Sequence, residues 1–142
     1  MKSIIVKILL LTSPLLLTGN LAAQKNVGAT GASRIEVIDF HSTHRCKTCL
    51  AIESIAREVV EKEFPNEFGS GKIVFKTVDV DDERNAKIAE KFEAAGTALF
   101  VYNCKTGQAY DLTDAGFSYA LNNEAKLREQ IRNAIRKNLY LL

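Results

Sequence analysis

Apolar residues along this chain change period several times, and each change marks an element. Arg34 to His41 (R-I-E-V-I-D-F-H) is rich in β-branched and aromatic residues and predicts a strand. From Cys46 or Lys47 to about Glu63 the spacing becomes helical, with Cys49, Ile52, Ile55, Ala56, Val59 and Val60 on one face. Glu53, Arg57, Glu58, Glu61 and Lys62 fall on the opposite, solvated face. Pro65 ends this helix, and Gly69-Ser70-Gly71 makes a loop. Lys72 to Val80 predicts a second strand. Asp81-Asp82 then offers an N-cap for a helix running to about Ala94, with Ala86, Ile88, Ala89 and Phe92 inward. Gly96 follows its end. Ala98 to Tyr102 predicts a third, strongly apolar strand; Thr106-Gly107 is a turn pair, and Gln108 to Leu112 returns as a fourth strand. A last helix spans about Asn123 to Tyr140, carrying Ala125, Leu127, Ile131, Ala134, Ile135 and Leu139. No internal repeat is visible.

The predicted order is therefore β-α-β-α-β-β-α. Strand–helix–strand alternation implies a partly parallel sheet with right-handed crossovers. The hairpin adds an antiparallel edge, and helices must cover both faces. The expectation is an α/β domain with a mixed four-stranded sheet.

The first 33 residues follow another pattern. Met1 to Lys7 carries two lysines and no acid, Ile8 to Leu17 is apolar apart from Thr12, Ser13 and Pro14, and small residues lead up to Gln24. That is the layout of a secretory signal peptide over residues 1–23, cleaved after Ala23; an uncleaved N-terminal anchor is the alternative. A transmembrane helix needs ~20 apolar residues, and this run is shorter and broken by Pro14. Residues 24–33, rich in Gly, Ala, Ser and Asn, read as a flexible leader, with one domain over residues 34–142. Losing Lys2 and Lys7 leaves about 119 residues with 17 basic against 17 acidic side chains. No electrostatic case remains for nucleic acid or an anionic membrane as partner. The expected location is exported, in a bacterial periplasm or outside the cell, where cysteine pairs are free to form disulfides.

Of three cysteines, Cys46 and Cys49 form a Cys-x-x-Cys pair and Cys104 is left over. Placed in the first turn of a helix, two cysteines three apart lie within reach of a disulfide, and the helix N-terminus stabilises a thiolate there. A structural disulfide or half of a metal site is the alternative. Cys104, seven residues after Thr97, should lie roughly 20 Å from the active end and is expected as a free thiol.

The element order, and the stretch Asp39-Phe40-His41-Ser42-Thr43-His44-Arg45-Cys46-Lys47-Thr48-Cys49, resemble the thioredoxin superfamily over nearly all of residues 34–139. The pattern F-H-x-x-x-R-C-x-T-C-x-x-I-E also looks like small bacterial thioredoxin-like proteins labelled as subunits of a nitrophenyl-compound nitroreductase. Nothing in the sequence resembles a flavin or nicotinamide site. The resemblance implies a minimal thioredoxin-like three-layer sandwich and an exported thiol–disulfide oxidoreductase. Two departures stand out. The family's cis-proline before the third core strand falls at Thr97, within Ala95-Gly96-Thr97-Ala98-Leu99, where a trans peptide is expected because a non-proline cis bond costs ~3 kcal/mol. The Lys-Thr spacer differs from Gly-Pro and Pro-His, which leaves redox potential and substrate open.

In this reading Cys46 is the nucleophile, near the helix N-terminus, with Arg45, Lys47 and His44 favouring its thiolate. Cys49 resolves the mixed disulfide. Asp39 matches the family's buried acid, which assists proton transfer; a hydrogen-bonded strand-end acid is the alternative. Thr97, Gly96, Arg45 and Lys47 are candidate substrate contacts, although the two cations also read as plain surface charges. No cofactor is required. A second class of reading uses His41, His44, Cys46 and Cys49, four ligand types suited to zinc or copper. A third is a redox-inactive binding subunit of the same fold. The expected partner is a disulfide-bearing or dithiol protein, with a membrane or periplasmic electron donor, and the protein is expected to be a monomer.

Overall fold

The computed structural model describes residues 23–142. The expected signal peptide, apart from Ala23, lies outside the described residues. Five strands form one sheet: β1 (Ala23–Asn26), β2 (Ile35–His41), β3 (Ile73–Asp79), β4 (Ala98–Asn103) and β5 (Gln108–Asp111), in the order β1-β5-β4-β2-β3. The β2–β3 pair is parallel; β2–β4, β4–β5 and β1–β5 are antiparallel. The helices are α1 (Lys47–Glu58), α2 (Pro65–Gly69), α3 (Ala86–Phe92), α4 (Thr113–Tyr119) and α5 (Glu124–Leu139).

Alternation along the strands builds two cores, because successive side chains point to opposite faces. Ile35 and Val37 of β2 join Leu99 and Val101 of β4 beneath α1 and α5, against Ile52, Val59, Leu127, Ile131 and Ile135. Ile38 and Phe40 join Phe100 and Tyr102 on the other face, against Phe92 of α3. Phe40, Phe92 and Phe100 pack mutually with ring centroids 5.2–5.9 Å apart. This interlocking of aromatic edges and faces adds to their area burial.

Three features differ from the sequence expectation. The sheet has five strands rather than four, since part of the expected flexible leader is ordered. Ala23–Asn26 pairs with β5, and Thr30 N–H and Gly31 N–H donate to the Cys104 carbonyl at 2.8 and 3.2 Å. The Tyr102 hydroxyl donates to the Gly28 carbonyl at 2.6 Å. This crossing explains Gly107, which has φ +80° and where a Cβ would meet Ala29 N at 2.6 Å. Such an approach admits only glycine. Helix α4 is a second addition, docked by Gly116 against Ile52, where a Cβ would come within 2.9 Å of Ile52 Cδ1. Third, α1 continues through a π-helical turn, Val59–Glu63, and Pro65 then opens α2 at a position where its missing N–H costs nothing.

Candidate active site

Strand β2, an interior strand between β4 and the edge strand β3, delivers its C-terminal end to the loop that starts α1. Cys46 is the N-cap of α1, with extended backbone, and its Sγ accepts from Cys49 N–H at 3.0 Å. A thiolate at this position would take the same amide bond and the field of the helix N-terminus. Cys46 and Cys49 are joined as a disulfide, with Cα atoms 5.0 Å apart. Cys46 is exposed whereas Cys49 is 7% exposed. One cysteine of the pair is exposed and its partner is buried.

A strand order that places β2 between parallel β3 and antiparallel β4, with a disulfide capping the helix that leaves β2, decides the architecture. The fold is thioredoxin-like. In this thioredoxin-like frame, solved structures with partial likeness include a Fasciola hepatica thioredoxin (26% identity, TM-score 0.45, covering 73% of this chain and 84% of that one). An oxidised Plasmodium falciparum thioredoxin matches at 18% identity and TM-score 0.47, over 74% and 85% of the two chains. The zinc-bound form of human ERp44 matches at 19% identity and TM-score 0.46, over 71% of this chain but 26% of its own. No protein-family model matches the chain, and no curated protein sequence does.

Beneath the thioredoxin-like disulfide loop lies a buried charge cluster. Asp39, on the α1 face of β2, is fully buried. Its Oδ2 accepts from Arg45 Nη2 at 2.9 Å, while Oδ1 has no hydrogen-bond partner among the described residues. Burial pushes the Asp39 carboxyl up to about 7; Arg45 opposes this shift and Glu53 reinforces it. Arg45 also bonds Glu53 through Nη1, and Glu53 Oε1 accepts from Arg57 at 2.9 Å. Desolvation raises the Glu53 carboxyl, but Arg57 and Arg45 outweigh it and hold the group low.

The structure thus brings Asp39, Arg45, Cys46 and Cys49 into one region and changes one expected role. The sequence places Arg45 among the substrate contacts and thiolate-stabilising cations. The guanidinium is instead turned inward, its side chain 17% exposed, because two carboxylates compete for it. Lys47 remains outside, exposed at the first position of α1. Glu53 is the residue missed by periodicity, which puts it on the solvated face; its 19% exposed side chain belongs to the cluster. No sequence signal links it to Arg45, eight positions earlier.

Gly96 lies beside the loop that precedes Cys46, where a Cβ would stand 3.8 Å from Ser42 Oγ, and Thr97 follows it in the chain. All peptide bonds among the described residues are trans, that preceding Thr97 included. His41 Nδ1 contacts the Ser42 carbonyl at 3.1 Å, and His44 is exposed. With the two sulfurs bonded to each other, no group of three or more His, Cys, Asp or Glu among the described residues is arranged around a metal position. Cys104 is free and fully buried beyond the other end of β4, and burial pushes its thiol up.

Proposed function

We propose that this protein is an exported thiol–disulfide oxidoreductase acting on disulfide-bearing protein partners through Cys46 and Cys49. The observation that carries the reading is the asymmetry of the disulfide: an exposed cysteine whose sulfur caps a helix and a buried cysteine one turn inside. In the reduced protein, the Cys46 thiolate attacks one sulfur of the partner disulfide. A Cys46–partner mixed disulfide forms, and the other partner sulfur leaves as a thiolate that takes up a proton. Cys49 then gives up its proton and attacks Cys46 Sγ, re-forming the internal disulfide and releasing the second partner thiolate. Two electrons pass from the cysteine pair to the partner. The reverse sequence oxidises a partner dithiol.

Asp39 is assigned the proton exchange that accompanies the Cys49 step. A carboxyl with pKa about 7 is half-ionised near neutrality, where a general base works best. Its unpartnered Oδ1 is the oxygen left to receive the proton. Lys47, exposed at the first position of α1, remains the cation beside Cys46 that favours its thiolate.

The test is turnover of insulin and of bis(2-hydroxyethyl) disulfide by the reduced protein. Cys46→Ser should abolish both activities. A Cys46→Ser variant as active as the wild type would overturn the assignment.

A further inference from the structure

The end of the sheet that carries the catalytic loop also carries a groove of about 550 Å³, and its far wall is the unexpected strand β1. Registers locate it. Phe40 is opposite Ala98, Phe100 is opposite Asp111, and Asp111 is opposite Ala23. Thr97, Asp111 and Ala23 therefore lie along one sheet end, leading away from the loop that holds Cys46. From β2 to β1 is three strand spacings, about 14 Å, which an extended chain covers in about four residues.

The charged side chains lining this groove are Lys25, Glu93, Asp111 and Asp114. Lys25 is already engaged, donating to Glu93 at 2.6 Å and to the Phe92 carbonyl at 3.0 Å. That pair cancels. Among the described residues Asp111 accepts only the local Thr113 N–H, at 2.9 Å, through Oδ1, and Asp114 is exposed. Among the described residues the groove therefore presents two carboxylates without a cation partner, on the sheet end that carries the Cys46 loop.

We propose that this groove holds the extended segment next to the partner's reacting cysteine, and that it selects lysine- and arginine-rich segments. The proposal builds on the exchange reading above by naming the partner's chemistry. Strand β1 closes the groove, so ordering of the leader and selection of the partner are one structural feature.

The test uses the full oxidised chain and two fluorescent pentapeptides with serine in place of cysteine, one flanked by lysines and one by glutamates. The lysine peptide should bind roughly fivefold tighter at low salt, a preference that shrinks at high salt. Asp114→Lys and Ser118→Lys, at exposed positions of the groove wall, should each bring the ratio towards one. Equal binding of the two peptides by the wild type, or a ratio that neither substitution moves, would overturn the proposal. Because the peptides contain no thiol, this result is independent of disulfide exchange. A clear lysine preference in a protein that reduces no disulfide would sink the redox reading alone.

Discussion

Glu36 and Asp39 are three residues apart on β2, both are buried, and they face opposite layers of the molecule. Burial alone would push both carboxyls up. Glu36 nevertheless stays low, because Lys76 at 2.7 Å and Arg34 at 2.6 Å outweigh its desolvation. Asp39 has one guanidinium, shared with Glu53, and rises to about 7. The difference is the supply of cations: two reach Glu36, while the one that reaches Asp39 is shared with Glu53. Glu36 ties an edge of the sheet together. Asp39 is left able to change its charge beneath the disulfide.

The largest expected effect comes from removing the shared cation. Arg45→Met leaves buried Asp39 without its cation and Glu53 with Arg57 alone, and should cost about 3–5 kcal/mol at pH 8. The cost should shrink at pH 5, where Asp39 carries its proton. Urea unfolding at the two pH values measures it, and equal losses at both would contradict the shared-cation account.

Asp39→Asn should come next. A raised carboxyl contributes stability that is full below its unfolded pKa of 3.8 and is lost as pH rises through about 7. Relative to the asparagine variant, the wild type should therefore lose roughly 4 kcal/mol across that window. Parallel stability curves for the two proteins would remove Asp39 from the account. Glu36→Gln should act in the opposite sense and more weakly. A lowered carboxyl contributes stability present above its unfolded pKa and lost as pH falls through its folded one. The variant should be about 1–2 kcal/mol less stable at neutral pH, with the deficit fading below pH 4.

Those contrasts also mark what the sequence could reveal. Strands β2 to β5 and helices α1, α3 and α5 are legible because each carries an apolar period long enough to bury a face. Strand β1 is not: Ala-Gln-Lys-Asn has no strand propensity of its own and exists as a strand through pairing with β5. Helix α4 is seven residues long, and its core-facing side is Ala115, Gly116 and Tyr119, a stripe too short to announce a helix. In the site, the cysteines and Asp39 are readable from motif and position. The inward turn of Arg45 is not, since a cation beside an exposed cysteine reads as a surface group until Glu53 is known to face it. Glu53 is hidden for a related reason, because helical periodicity assigns it to solvent. Both depend on tertiary approach between a strand and the helix that follows it.

The central claim is that Cys46 attacks and Cys49 resolves. Reacting the reduced Cys49→Ser variant with an excess of a disulfide substrate, then mapping adducts by mass spectrometry, tests it most directly. A stable mixed disulfide on Cys46 is predicted, with no adduct on buried Cys104; the Cys46→Ser variant should accumulate none at Cys49 on the same timescale. Adduct formation at Cys49 in preference to Cys46, or none in either variant, would contradict the account.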